Sequence, residues 1–213
     1  MTRADSPAIA VLDYRMGNLR SVEKGFAAAG VEGVCVTDDP RVVARARGII
    51  LPGVGAFRDA AANLASSGLR EVLLERVAAG VPLLGICLGM QLLATVGLED
   101  GEWQGLGLVP GTCRRIEGDV KVPHIGWNTV DYPMASPLFA GIPEGSAFYF
   151  VHSYHLVPDD PAAVIGQVGY GGPRAAAVRS GSVYGVQFHP EKSSGCGLAL
   201  LRNFARIVSE VAA

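Results

Sequence analysis

The chain is expected to fold as a single α/β domain on an open, mostly parallel central sheet. Helices cover both faces, and antiparallel or mixed strands extend the second half. Three observations carry this expectation. The first half alternates short apolar runs with helix-compatible segments, as parallel strands buried on both faces require. The second half sets strand-like runs between glycine and proline turns. Between the halves, an apolar run ends at Gly85, turns at Cys87 and enters a helix-compatible stretch, as a nucleophile elbow does.

The elements follow in order. Ala8 to Leu12 reads as a buried strand. Asn18 can cap a helix over Leu19 to Ala29, which Gly30 closes. Val34 to Val36 is a second strand, and Pro40 after Asp38 and Asp39 begins a short helix. Gly48 to Leu51 is a third strand, ending in Pro52-Gly53-Val54-Gly55. Helices are expected near Arg58 to Ala65 and Leu69 to Ala79, then the strand leading to Cys87. Further strands are expected over Lys121 to Trp127, Ala147 to Val151, Tyr154 to Val157, Ala162 to Val168, Ala175 to Arg179 and Ser182 to Phe188. Leu201, Phe204, Ala205 and Val208 give the last segment, Leu198 to Val211, helical spacing.

Composition bounds the function. The 213 residues suit one domain, over residues 8–213, preceded by an extension, residues 1–7, expected to be disordered. With 49% hydrophobic and 18% charged residues, the chain can bury a substantial core. A net charge of -2 with no long basic run argues against nucleic-acid and anionic-membrane partners. The N-terminus lacks a signal-peptide core, and no stretch is apolar enough to span a bilayer. The four cysteines are scattered without a C-x-x-C pair, so neither a metal site nor a disulfide framework is expected. A reducing cytoplasm is the simplest compartment. Cys35, Cys113 and Cys196 read as structural or incidental.

The chemistry gathers around Gly85-Ile86-Cys87-Leu88-Gly89-Met90-Gln91. A side chain at either elbow glycine would crowd the turn. Backbone N–H groups at the start of the following helix favour a thiolate and can hold an oxyanion. Taken alone, Cys87 would more commonly be a core cysteine. A cysteine nucleophile also needs a base and a group to orient it. Of the four histidines, His189 stands out, because Glu191 lies two residues on and extended backbone points both the same way. Pro190 between them opposes helix formation. His124, His152 and His155 lie in or beside apolar strands, where bonding to backbone is the default, and none is assigned to catalysis. The Pro52–Gly55 loop leaves a parallel strand at the ligand edge of the sheet. Its Val54 N–H and that of Leu88 are the candidate oxyanion donors.

Together these residues resemble the class I, triad-type glutamine amidotransferases, and within them the glutaminase subunits of imidazole glycerol phosphate synthase. The G-x-C-x-G elbow with a distant His189-Pro190-Glu191 marks the class. Asp13-Tyr14-Arg15-Met16-Gly17-Asn18-Leu19, Pro52-Gly53-Val54-Gly55-Ala56-Phe57 and Lys121-Val122-Pro123-His124-Ile125-Gly126-Trp127-Asn128 point to the subunit. The resemblance covers nearly the whole chain from Ile9. It implies that Cys87 attacks the glutamine side-chain amide, His189 transfers protons and Glu191 orients His189. It implies glutamine binding by Gly53, Gly55, Gln91, Glu99, Ser153 and Tyr154. It implies no cofactor, and a (β/α)8 cyclase partner in a heterodimer, with Asn18, Trp127 and Lys192 at the interface. The partner would receive ammonia and make imidazole glycerol phosphate and aminoimidazole carboxamide ribotide for histidine biosynthesis. Two departures stand out. Arg15 occupies a position where the family usually has glycine, and the stretch from Gln91 to Trp103 is short and weakly acidic. The competing readings are a glutaminase for a different synthase, a stand-alone cysteine hydrolase, and a non-enzymatic amidotransferase-like scaffold.

Overall fold

Four strands open the fold: β1 (Ile9–Leu12), β2 (Val34–Thr37), β3 (Gly48–Leu51) and β4 (Leu83–Ile86). The computed structural model describes residues 8–211, so the expected disordered extension over residues 1–7 lies outside the described residues. Helices α1 (Leu19–Ala28), α2 (Pro40–Val43), α3 (Phe57–Ser66) and α4 (Leu69–Ala78) connect these strands. A single turn, α5 (Leu88–Gln91), follows the elbow. Then come β5 (Val96–Gly97), β6 (Trp103–Gln104), β7 (Gly111–Arg115), β8 (His124–Val130), β9 (Ser146–His152) and β10 (Tyr154–Pro158). The chain ends with β11 (Val164–Gly169), β12 (Pro173–Ser180), β13 (Val183–Val186) and α6 (Ser194–Val211).

The central sheet has seven strands in the order β11-β12-β13-β4-β3-β1-β2. From β13 to β2 every pairing is parallel, while β11–β12 and β12–β13 are antiparallel. This is the parallel core with a second-half extension that the sequence implies. Alternation along each strand divides the core between the two faces. Ile9, Val11, Ile50, Leu84, Ile86, Tyr184 and Val186 pack with Val22 and Phe26 of α1 and Leu200, Leu201 and Phe204 of α6. Ala10, Leu12, Ile49, Leu51, Leu83 and Val183 pack with α2, α3 and α4 on the other face.

Several local expectations need correction. The Asn18 side chain makes no capping bond to α1; its Oδ1 accepts from the Ser21 hydroxyl instead, at 2.7 Å. The helix beyond Cys87 ends at Gln91, and Leu92 to Ala94 turn away to pair with Leu106, Gly107 and Val109. The eighth strand starts at His124, not Lys121. Pro161–Ala163 form a 3-10 turn before β11, and α6 begins one turn early at Ser194. The short strands β5, β6 and β7 were not anticipated. They form a second sheet with β10, in the order β10-β7-β5-β6, and β8 and β9 form a separate hairpin.

Candidate active site

Cys87 sits between β4 and α5 with φ 55° and ψ -110°, a backbone that few non-glycine residues adopt. The elbow closes over its neighbours. A Cβ on Gly89 would lie 1.7 Å from the Leu51 carbonyl oxygen, and one on Gly85 would lie 2.7 Å from that of Gly89. The thiol is 6% exposed, at the base of a cleft of about 350 Å³. Because α5 is a single turn, its macrodipole is a minor influence on the sulfur. The stronger influence is His189.

His189 leaves β13 in extended conformation, and Pro190–Lys192 then form one 3-10 turn. Proline at the start of that turn is compatible with it, so the residue read as stopping a helix opens a tight one. His189 and Glu191 therefore meet across a turn instead of along a strand. His189 Nδ1 donates to Glu191 Oε1 at 2.8 Å, with both side chains at most 3% exposed. A surface turn is excluded by that burial. His189 Nε2 is buried and has no hydrogen-bond partner among the described residues, which leaves it for the Cys87 thiol. Burial by itself would lower the His189 pKa, but the Cys87 sulfur and the Glu191 carboxylate outweigh it and raise it to about 9.

The supports of the pair are identifiable. His189 N–H donates to the Tyr149 carbonyl at 2.9 Å. Ser193 Oγ donates to the His189 carbonyl at 2.6 Å and accepts from Tyr149 N–H at 3.0 Å. Gly25 of α1 packs against Glu191, where a Cβ would come within 2.9 Å of the Glu191 Cβ. His189 is thus expected to titrate near 9 when its ring is followed by NMR. Glu191→Gln and Cys87→Ser should each lower that midpoint, since each removes a group that favours the imidazolium. Because the native value is raised, the linked stabilisation is complete below the ordinary value of 6.5 and is lost as pH rises through about 9. An unchanged midpoint in Glu191→Gln would refute the electrostatic coupling.

The cleft gathers most of the residues assigned from sequence. Val54, Gly55, Leu88, Gln91, Glu99, Ser153 and Tyr154 line it with Cys87 and His189; Gly53 does not line it and packs against Tyr14 and Leu88. Glu99 Oε2 accepts from Phe57 N–H at 2.6 Å, tying the pocket to the start of α3. Tyr14, buried and held neutral as burial raises its pKa, donates to the Pro52 carbonyl at 2.5 Å. Leu88 N–H donates to the Gly53 carbonyl at 3.3 Å, so this candidate oxyanion donor is engaged within the loop. Val54 is 42% exposed and Gly55 adopts φ +105°, so the loop has room and backbone freedom to turn.

Two of the candidate interface residues, Trp127 and Lys192, lie beside Tyr149 of the hairpin, while Asn18 precedes α1. Trp127, 53% exposed, stands edge-on to Tyr149 across the β8–β9 register, and Lys192 Nζ lies 5.9 Å from the Tyr149 ring centre. Tyr149 was not singled out from sequence, although its place opposite Trp127 follows once the hairpin register is known. Gln187 was also missed. It is fully buried and donates from Nε2 to Cys87 Sγ at 3.8 Å. A polar residue inside Val186-Gln187-Phe188, two before His189, was the available signal. Of the histidines set aside, His155 accepts from Arg174, but His152 lines the cleft. Among the described residues, no three His, Cys, Asp or Glu side chains are placed to hold a metal ion, and no helix is long and apolar enough to cross a membrane.

Comparison with known proteins follows the same lines. Residues 10–208 match the family model of class-I glutamine amidotransferases. Imidazole glycerol phosphate synthase subunit HisH of Moorella thermoacetica is 52% identical over 200 residues, covering 94% of this chain and 95% of that protein. The HisH subunit of Syntrophotalea carbinolica is 49% identical over 203 residues, covering 92% and 98%. Among solved structures, a glutamine amidotransferase superposes with TM-score 0.74 at 19% identity, over 95% of this chain and 99% of that one. PurLQS from Thermotoga maritima gives 0.74 at 21% identity, with the same coverage. At such identities the structural matches speak to the fold alone.

Proposed function

The chain belongs to the class-I glutamine amidotransferase family, and we propose that Cys87, His189 and Glu191 are its catalytic triad, hydrolysing glutamine and delivering ammonia to a cyclase subunit in histidine biosynthesis. The observation that carries the residue roles is the His189–Glu191 pair, buried beside the elbow cysteine in a cleft of small-substrate size. The Cys87 thiolate attacks the glutamine amide carbon, and the oxygen takes up the negative charge. The His189 imidazolium donates its Nε2 proton to the departing nitrogen, and ammonia leaves a glutamyl thioester. Neutral His189 then takes a proton from water, which attacks the thioester and releases glutamate. Glu191 holds Nδ1–H throughout, so Nε2 faces the reacting atoms.

Glutamine would be received by Gln91, Glu99, Gly55 and the Ser153–Tyr154 backbone, with Gly53 shaping the loop behind them. Val54 and Leu88 N–H would hold the oxyanion once the Gly53–Val54 peptide turns. In the arrangement observed, the Gly53 carbonyl engages Leu88 N–H, which favours a low resting rate. The partner is a (β/α)8 cyclase docked on the side of Asn18, Trp127 and Lys192, in the cytoplasm. Trp127 meets Tyr149, whose carbonyl holds the His189 N–H, so docking there would bear directly on the triad.

The test measures glutamate release from glutamine by the chain alone, with a bacterial imidazole glycerol phosphate cyclase subunit, and with that subunit plus its nucleotide ligand. The third mixture should be stimulated strongly, and a Cys87→Ala control should remain silent. Full-rate hydrolysis by the chain alone would overturn the gated mechanism. Slow Cys87-dependent hydrolysis unaffected by any cognate cyclase would overturn the partner.

A further inference from the structure

One carbonyl group fixes the direction of the side-chain hydrogen bonds that run through Gln91 and Gln187 to the Cys87 sulfur, which also lies 4.0 Å from the Val151 carbonyl. Tyr154 O can only accept. It receives His152 Nδ1–H and Gln91 Nε2–H, both at 2.8 Å. Toward the hairpin, His152 Nε2 must therefore accept from His124 Nδ1–H at 3.1 Å, and His124 Nε2 must accept from Asn128 Nδ2–H at 3.3 Å. Both rings are held neutral: burial lowers His152 to about 3, and burial with the nearby Arg174 lowers His124. Toward the elbow, the second proton on Gln91 Nε2 goes to Gln187 Oε1 at 3.1 Å. That leaves Gln187 presenting its Nε2, a donor, to Cys87 Sγ at 3.8 Å.

We propose that Gln187 is a further catalytic residue, donating a hydrogen bond that stabilises the Cys87 thiolate. Gln91, itself fixed by the Tyr154 carbonyl, is the positioning residue that holds it in the donating orientation. If the Gln187 amide were turned over, its Oε1 would face the thiolate and its Nε2 would face the Gln91 donor, losing both contacts. The geometry also explains a fully buried glutamine just beyond an apolar strand.

This rests on Cys87 being the nucleophile, but alkylation by iodoacetamide reads its reactivity with no glutamine or partner present. Failure of the donor and failure of the glutaminase reading are therefore distinguishable. Gln187→Met, of similar length and without a donor, should slow Cys87 alkylation at pH 7 about tenfold, the worth of one hydrogen bond to a charged group. Gln187→Glu should be slower still, because a carboxylate opposes the thiolate. In both, the deficit should shrink as pH rises and the thiol ionises without help, and kcat should fall more than KM rises. A merely structural role would not produce that pH profile. Wild-type alkylation across the pH range by folded Gln187→Met would overturn the proposal.

Discussion

Cys87→Ala is expected to lower kcat for glutamine hydrolysis by about 10⁴-fold or more while leaving the fold intact. Alanine carries the same Cβ as cysteine, so the strained elbow at φ 55° gains no new strain. The sulfur is the only atom removed. No other cleft residue can replace it: the Ser153 and Tyr154 hydroxyls have no buried imidazole set against them, and His189 is oriented by Glu191 toward the elbow. His189→Ala should cost nearly as much, and the double substitution little more than either alone, because the two act on one proton. Glu191→Gln should cost less, since Gln187 and the burial of the site persist. The check is steady-state glutamate release in the presence of the cyclase, with thermal melts and labelling by a glutamine-analogue electrophile. Retention of more than a tenth of wild-type kcat in folded Cys87→Ala would remove Cys87 from the mechanism.

The proposed triad could be nominated from the sequence because its parts obey local rules. The elbow needs glycines flanking a nucleophile between a strand and a helix, and His189 with Glu191 needs only a two-residue spacing. The parallel core was legible for a similar reason, since alternating apolar runs and helical segments admit few arrangements. Tertiary contacts carried what was missed. β5 and β6 are two-residue strands with no periodicity to detect; β5 pairs with both β6 and β7. Gln187 and Tyr149 acquire meaning from residues 100 and 22 positions away, Cys87 and Trp127, which sequence spacing cannot bring together. Asn18 has the composition of a cap, but Ser21 three residues on competes for its side chain. The histidines illustrate the same limit: default bonding to backbone holds for His152 through Tyr154 O, yet that bond also places it on the cleft wall.

Gly89→Ala is expected to be the most damaging substitution of a residue that takes no part in the chemistry. The added methyl would sit 1.7 Å from the Leu51 carbonyl oxygen and 2.7 Å from its carbon. Both are backbone atoms of β3, paired with β1 on one side and β4 on the other, so no rotamer change relieves the clash. Either α5 moves off the sheet or β3 breaks register, and each displaces Cys87 from His189. Overpacking of this kind costs about 3 kcal/mol or more, a fall in Tm of about 10 °C for a chain this size. Gly85→Ala should behave similarly, because its methyl would meet the Gly89 carbonyl and the Met90 nitrogen at 2.7 and 2.8 Å. Gly169→Ala is the control: its methyl meets nothing within 4 Å, and it should melt close to the wild type. Calorimetry on the three variants, with alkylation of Cys87 as a probe of the elbow, separates steric closure from general sensitivity to alanine. A Gly89→Ala protein with the melting temperature and Cys87 reactivity of the Gly169→Ala control would show that the elbow tolerates a side chain between α5 and β3.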